Sequence, residues 1–307
     1  MRITDSFRIR TVTENLNSSR ERMTNLQEQL STAKRINRPS DDPEGMANVL
    51  KLRTILETNH QFQRNIEDGL RMLTAQESAM NDVYEILMQV KELAIEGASD
   101  SITVRDSLAD QLQMMLNNLE EIANTKENGK YLFGGTETMD KPFQMNGNVV
   151  KFNLIDEVVN YYGNKKTFDR QINENTRVTI NLTGAEIFDQ SDRGGSNLFQ
   201  VIYDLKLDLL SDDSSAISAK IEDVNDAVEQ TLKNFLKIGT RKQLITFNQD
   251  RFSTQNIQVQ SAMSYLEDTD FGEVFIQFKA EENALNSALS AGARVISPSL
   301  LDFLGPV

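Results

Sequence analysis

The sequence predicts a mainly α protein with an inserted β domain, in which long antiparallel coiled-coil helices from both chain ends build an elongated molecule. Three observations carry this expectation. The 307 residues include only five prolines and fifteen glycines, and so few breakers favour long uninterrupted helices. Apolar residues recur at alternating spacings of three and four near both ends, the signature of a helical seam. Between those regions, from about 131 to 192, short alternating runs separated by Gly and Asn turns replace the helical period.

The first helical pattern places Ile9, Val12, Leu16, Ser19, Met23, Leu26, Leu30 and Ala33 on one seam. As a helix, residues 9–37 would measure about 43 Å. Pro39 disfavours helical geometry at Arg38 and is expected to end it. Asp42 is a good N-cap, Pro43 suits the first helical position and Glu44 favours the positive helix end, so a second helix starts there. Val49, Leu52, Leu56, Ile66, Leu70, Leu73, Met80 and Leu87 carry it to about Ala98, with Asn59 and Gln63 as polar lapses. A third helix places Val104, Leu108, Leu112, Met115, Leu119 and Ile122 on one face, with Gly129 as its C-cap.

The Asn146-Gly147 pair between two alternating runs signals a hairpin. "EVVNYYGNKKTFDRQI" and "TRVTINLTGAEIF" read as further strands. Helix returns at "LFQVIYDLKLDLL" and over about 214–266, with Ile217, Val224, Ile238, Ile245 and Phe252 among its apolar positions. The last seam is Phe271, Phe275, Phe278, Glu282, Leu285, Leu289, Gly292 and Ile296, with Pro298 expected to stop it. Five segments follow: an N-terminal coiled-coil arm with its connecting loop (1–42), the first half of a helical rod (43–130), an outer β domain (131–197), the second half of the rod (198–270) and a C-terminal coiled-coil arm (271–307).

Composition narrows the function. The net charge of −14 argues against nonspecific nucleic-acid binding and against docking on an anionic membrane. No stretch approaches the ~20 apolar residues of a membrane-spanning helix. The start has no apolar core of a secretory signal peptide, so no cleaved leader is expected. The absence of cysteine excludes disulfides and thiolate metal sites. The one histidine, His60, reads as a surface residue, and no Walker or GxGxxG motif occurs. "DTDFGE" lacks the ligand rhythm of a calcium loop. No catalytic residue, no metal site and no cofactor is expected; the chain does not read as an enzyme.

Residues 1–40 hold eight basic and four acidic side chains, a net of +4, and residues 266–307 hold two basic and seven acidic, a net of −5. Opposite signs favour pairing of the two ends and guide its register. A lone seam helix of this length is marginal in water and needs a partner surface. The C-terminal seam is the first candidate, with neighbouring subunits supplying the rest.

"LSTAKRINRPSDDPEGMANVLKLR" resembles the N-terminal signature of the flagellin superfamily, in the form used by its hook–filament junction family, the third hook-associated proteins. "GKYLFGGTETMDKPF" resembles that family's turn into an outer β domain, and "LEDTDFGEVFIQFKAEENALNSALSAGARVISPSLLDFL" resembles the shared C-terminal helix. The resemblance implies a structural protein of the bacterial flagellum, exported by the flagellar type III secretion system and extracellular in its final place. It implies further copies of the chain in a ring, the first hook-associated protein, flagellin and a flagellar export chaperone as partners. The assembly residues expected from seam and loop are Ile9, Val12, Leu16, Met23, Leu26, Leu30, Asn37, Pro39, Asp41, Asp42, Pro43, Phe275, Phe278, Leu285, Leu289, Leu300, Leu301 and Leu304. Two alternatives stand beside this reading: a short flagellin, and an intracellular coiled-coil adaptor.

Overall fold

A computed structural model describes residues 2–99, 104–146, 149–150, 160–189 and 197–303, without the side chains of 2–6, 8, 145–146, 149–150, 160 and 294–303. Its helices are α1 (Arg2–Thr32), α2 (Pro43–Gly97), α3 (Arg105–Ala123), α4 (Gly184–Phe188), α5 (Leu198–Leu210), α6 (Ser214–Glu267) and α7 (Phe271–Phe303). Its strands are β1 (Lys126–Glu127), β2 (Lys130–Tyr131), β3 (Phe143–Asn146), β4 (Val149–Val150), β5 (Asn160–Tyr161), β6 (Asp169–Asn173) and β7 (Thr176–Thr179). The chain forms two compact units, one of Met1–Asn59 with Thr254–Val307, the other His60–Ser253.

The second unit holds most of the apolar core. Along α2, Phe62, Ile66, Leu73, Met80, Val83, Leu87, Val90 and Ala94 are buried. With Gly69 and Gln76 between them, these positions alternate steps of four and three without a break. Phe62, rather than its neighbour Gln63, holds the seam and stacks on Phe252 of α6 at 5.6 Å between ring centroids. Gly69 sits where a Cβ would come within 2.9 Å of Ile180 and 3.3 Å of Ile245, so only glycine permits this approach. Farther along, Lys242 of α6 pairs with Glu77. α3 and α5 lie side by side, burying Leu108, Leu112 and Leu119 with Ile202, Leu205 and Leu209.

The strands form three small antiparallel sheets, ordered β1-β2, β4-β3-β5 and β6-β7. Beneath them Phe133, Phe143, Tyr161, Phe188 and Phe199 form an aromatic cluster with centroid separations of 5.0 to 5.8 Å. Burial pushes the Tyr161 phenol far up, and its hydroxyl donates to Phe133 O at 2.9 Å and Asn164 O at 3.1 Å. Gln76 joins this layer to α2. Its Nε2 donates to Leu132 O and Leu182 O, and its Oε1 accepts from Leu182 N, at 3.0 to 3.1 Å and with no solvent exposure.

Several local expectations are corrected. α3 ends at Ala123 with Asn124 as its C-cap. Asn124 then exchanges two bonds with the backbone of Phe143, as a strand residue would. Gly129 lies instead in the β1–β2 turn, where it and Asn128 both have positive φ, the geometry a two-residue hairpin demands. "GAEIF" is helical, because Thr183 and Glu186 form a reciprocal capping box that starts α4. The expected hairpin is present with Asn146 opposite Val149, while Gly147 itself lies outside the described residues. Helix α7 continues through Pro298 to Phe303, so the proline, which withdraws one donor and crowds the carbonyl four residues earlier, does not end the periodic run.

Replacing Gln76 with Leu removes three hydrogen bonds and leaves buried backbone groups without partners. The expected cost is about 3 kcal/mol, read as a lower urea midpoint. A midpoint within experimental error of the parent would mean that the β layer is not held through Gln76.

Candidate functional site

The first unit is built from the two chain ends. α1 packs against α7. The pairing is antiparallel, with Val12 beside Gly292, Ser19 beside Glu281 and Lys34 beside Asp268. Glu281 accepts from the Ser19 hydroxyl and from Arg22 Nη2 at 2.8 Å. Those two donors hold its carboxyl below the usual carboxylate range. A Cβ on Gly292 would stand 3.3 Å from Val12, so this glycine is a contact point between the helices rather than a gap in the seam.

The structure sorts the expected seam residues into two groups. On α1, Val12, Leu16, Met23, Leu26 and Leu30 are half-buried, while Ile9 is 40% exposed. On α7 the covered positions are Val274, Phe278, Glu281, Glu282, Leu285, Ala288 and Gly292. Phe275 and Leu289, expected on the same line, stand beside it and are 50% and 41% exposed. The reason lies in spacing: 274, 278, 281, 285, 288 and 292 form an equally regular series, and only the docked partner selects between the two. Phe7, Phe271 and Ile276 are also exposed. Leu300 and Leu301 belong to α7, but their side chains are not among those described, and Leu304 lies outside the described residues.

α1 stops at Thr32, five residues short of the expected end at 37. Ala33 adopts a φ of 57°, a costly value for a residue with a Cβ. Two backbone bonds offset it: Arg35 N donates to Glu267 O at 2.6 Å, and Thr269 N donates to Ala33 O at 3.1 Å. The turns leaving α1 and entering α7 are thereby stitched together. Beneath the stitch Glu267 is 4% exposed and receives Lys34 Nζ on one oxygen and Arg53 Nη2, at 2.7 Å, on the other. Burial alone would push the Glu267 carboxyl up; the bonds from Lys34 and Arg53 outweigh it and hold the pKa below the usual value. Neither the seam nor the loop pattern singles out Glu267 or Arg53 in the sequence; the only hint is an acidic residue at the end of an apolar helix face.

The connecting loop has its own internal bonding. Asp42 caps α2 by accepting from Gly45 N at 2.8 Å, and Pro43 is the first helical residue. Asp41 Oδ2 accepts from Asn37 N at 3.1 Å and Arg38 N at 2.8 Å, and Asn37 Nδ2 donates to Lys34 O. Both aspartates therefore hold the turn, and Pro39 stands exposed between Arg38 and Asp41. Gly45 is required by space, since a Cβ would meet Ile36 at 2.7 Å.

No chemistry converges here. Among the described residues no group of three His, Asp or Glu side chains could hold a metal ion, and no helix is long and apolar enough to cross a membrane. His60 is exposed, with Gln63 as its partner at 3.1 Å. The arrangement pairs two helices and leaves apolar side chains beside the pair.

Two outcomes are expected of the purified protein. Glu267→Gln should destabilise the first unit by about 1 to 2 kcal/mol at neutral pH, discounted because both cations are half in solvent. The Glu267 pKa is lowered on folding, so this contribution is present above the unfolded value near 4.3 and is lost as pH falls through the folded value. Melting curves of parent and variant should therefore begin to draw together as pH falls below about 4.3; a gap that stays constant while the Glu267 carboxyl is protonated in the folded protein would contradict the clamp. Asp41→Ala should cost about as much as Asp42→Ala, roughly 1 kcal/mol each, and a loss of only a few tenths for Asp41→Ala would remove its role in the turn.

Comparison with known proteins agrees with this architecture. Residues 9–138 match the bacterial flagellin N-terminal helical region. The chain is 26% identical to flagellar hook-associated protein 3 of Salmonella typhimurium, over 94% of this chain and 95% of that one. It is 24% identical to flagellin of Bacillus subtilis, over 95% and 94%. Its fold superimposes on the crystal structure of hook-associated protein 3 from Legionella pneumophila with a TM-score of 0.62 at 13% identity, covering 71% of this chain and 98% of that one. The chain thus carries a flagellin N-terminal helical region over residues 9–138 and is similar to hook-associated protein 3 along nearly its whole length.

Proposed function

We propose that the chain is a structural subunit of the bacterial flagellum that joins the hook to the flagellin filament by ring assembly of its terminal helices. The observation that carries the reading is the α1–α7 pair with apolar side chains left beside it, in a chain similar to hook-associated protein 3 along nearly its whole length. Phe7, Ile9, Phe271, Phe275, Ile276 and Leu289 have 40% to 70% of their surface in water. Covering each with a neighbouring subunit would return roughly 1 kcal/mol. Several such residues repeated around a ring suffice for association without any site chemistry.

On this reading the partners are further copies of the chain, the first hook-associated protein and flagellin, with an export chaperone holding the ends before assembly. The protein leaves the cell through the flagellar export apparatus and works outside it as a scaffold rather than a catalyst. A second reading, a short flagellin, is supported by the likeness to Bacillus subtilis flagellin. Immunogold labelling separates the two. A junction subunit marks one band between hook and filament, and its deletion leaves hooks without filaments. Label along the entire filament would favour flagellin.

The double variant Phe275→Asp, Leu289→Asp should keep the melting behaviour of the parent, because both side chains stand beside the α1–α7 seam. It should abolish filament attachment, since two charges would have to be buried on assembly. Leu16→Asp should instead lower the melting temperature as well, because Leu16 is half-buried on the paired face. Normal filament numbers in the double variant would remove Phe275 and Leu289 from the interface.

A further inference from the structure

An arginine-walled hollow lies in the second unit of this acidic chain. Arg64 and Arg71 of α2 and Arg170 and Arg177 of the β6–β7 hairpin surround it, together with Asp68 and Asp169. Four cations against two carboxylates make a positive island in a molecule of net charge −14. The walls are fixed. Asn65 Nδ2 donates to Gln171 O at 2.8 Å, tying the hairpin to α2, and Arg170 Nε pairs with Asp68 at 3.0 Å. Arg71 reaches Asp68 only at 3.5 Å, and Arg64 and Arg177 are exposed. Guanidinium groups gathered on one surface suit carboxylates, which they bind through paired N–H donors.

The opposite end of the same unit has the complementary charge. Residues 204–226 hold seven acidic side chains and two lysines. The α5–α6 turn projects Asp212 and Asp213 into solvent, with Asp212 also pairing with Arg105. Burial, with the carboxylates of Asp204 and Asp213, pushes the Asp208 carboxyl up against the pull of Lys220. A cation arriving from outside would relieve this repulsion. Arg105 anchors the turn at the C-terminal end of α2 by donating to Gly97 O at 2.9 Å. Arg64 and Arg71 lie 26 to 33 residues earlier on that helix, roughly 40 to 50 Å away. One copy therefore cannot bring its own two patches together.

Resting on the reading of the chain as a self-assembling subunit, we propose that the arginine hollow of one copy receives the α5–α6 turn of a neighbouring copy. Asp208, Asp212 and Asp213 enter between Arg64, Arg71, Arg170 and Arg177. The contact is head-to-tail: each copy uses both patches and each patch meets the other kind. Repetition of such a contact generates a ring or a helix rather than an isolated pair. Its charges set register and encounter rate, while apolar contacts elsewhere supply affinity.

The absence of native cysteine provides a direct test. Full-length Arg177→Cys and Asp208→Cys chains are expressed together in flagellated cells, and purified hook–filament preparations are treated with a short bis-maleimide. A cross-linked band at twice the chain mass is expected when both variants are present and not with either alone. Absence of that band from preparations that contain the protein overturns the docking while leaving the junction reading intact, as does a band joining Arg177→Cys to a different protein. Absence of the protein from the preparations overturns both. A charge exchange gives an independent readout. Arg64→Glu with Arg177→Glu should reduce filament-bearing hooks about tenfold, and adding Asp208→Arg should restore them to within about twofold. Equal loss with and without Asp208→Arg, at unchanged melting temperature, also overturns the docking.

Discussion

The pairing of two short turns, 33–36 with 267–269, governs what the ends of this chain can do. α1 and α7 are separated by most of the sequence, and neither has enough apolar surface to stand alone as a helix in water. The stitch between Arg35 and Glu267 and between Ala33 and Thr269 fixes where both helices start from. It therefore fixes their register. Glu267 makes the stitch specific, because a carboxylate this deeply buried is tolerated only with Lys34 and Arg53 both in place. The positive φ at Ala33 and the early end of α1 follow from that arrangement.

With register fixed, the rest of the first unit is a matter of which apolar residues remain. The covered line on α7 runs through Val274, Phe278, Leu285 and Gly292, and α1 answers with Val12, Leu16 and Met23. Phe271, Phe275 and Leu289 are left over on α7 and Phe7 on α1. A helix pair that needed nothing further would carry polar residues at those places. On the proposed reading these exposed side chains form the surface that a neighbouring subunit covers.

Much of this was legible in the sequence because helix periodicity is a local, repeated signal. The long helices, the Pro43 start, the Asp42 cap and the β insertion could all be read from spacing and turn chemistry. What could not be read depends on long-range partners. The series through Phe275 and the series through Val274 are equally regular, and only docked α1 separates them. The early stop at Thr32 depends on a backbone partner more than two hundred residues away. Gln76 looks like any polar interruption of a seam until Leu132 and Leu182 are brought beside it. Asp41 has no evident local role in the sequence beside the capping Asp42, yet the turn uses both. The β insertion was read as strands throughout, and the capping box at Thr183 turned part of it into helix.

α1 and α7 pair within one chain, and on the proposed reading assembly covers the apolar surface left beside them. Hydrogen exchange with peptide resolution, compared between the purified protein and flagellar preparations, tests it most directly. Peptides around the paired turns, 33–36 and 266–270, are expected to be protected in both states. Peptides spanning 5–16 and 271–292 should gain at least tenfold in protection on assembly, beyond the roughly 1 kcal/mol that one covered side chain supplies. Equal exchange of those peptides in the two states would contradict it.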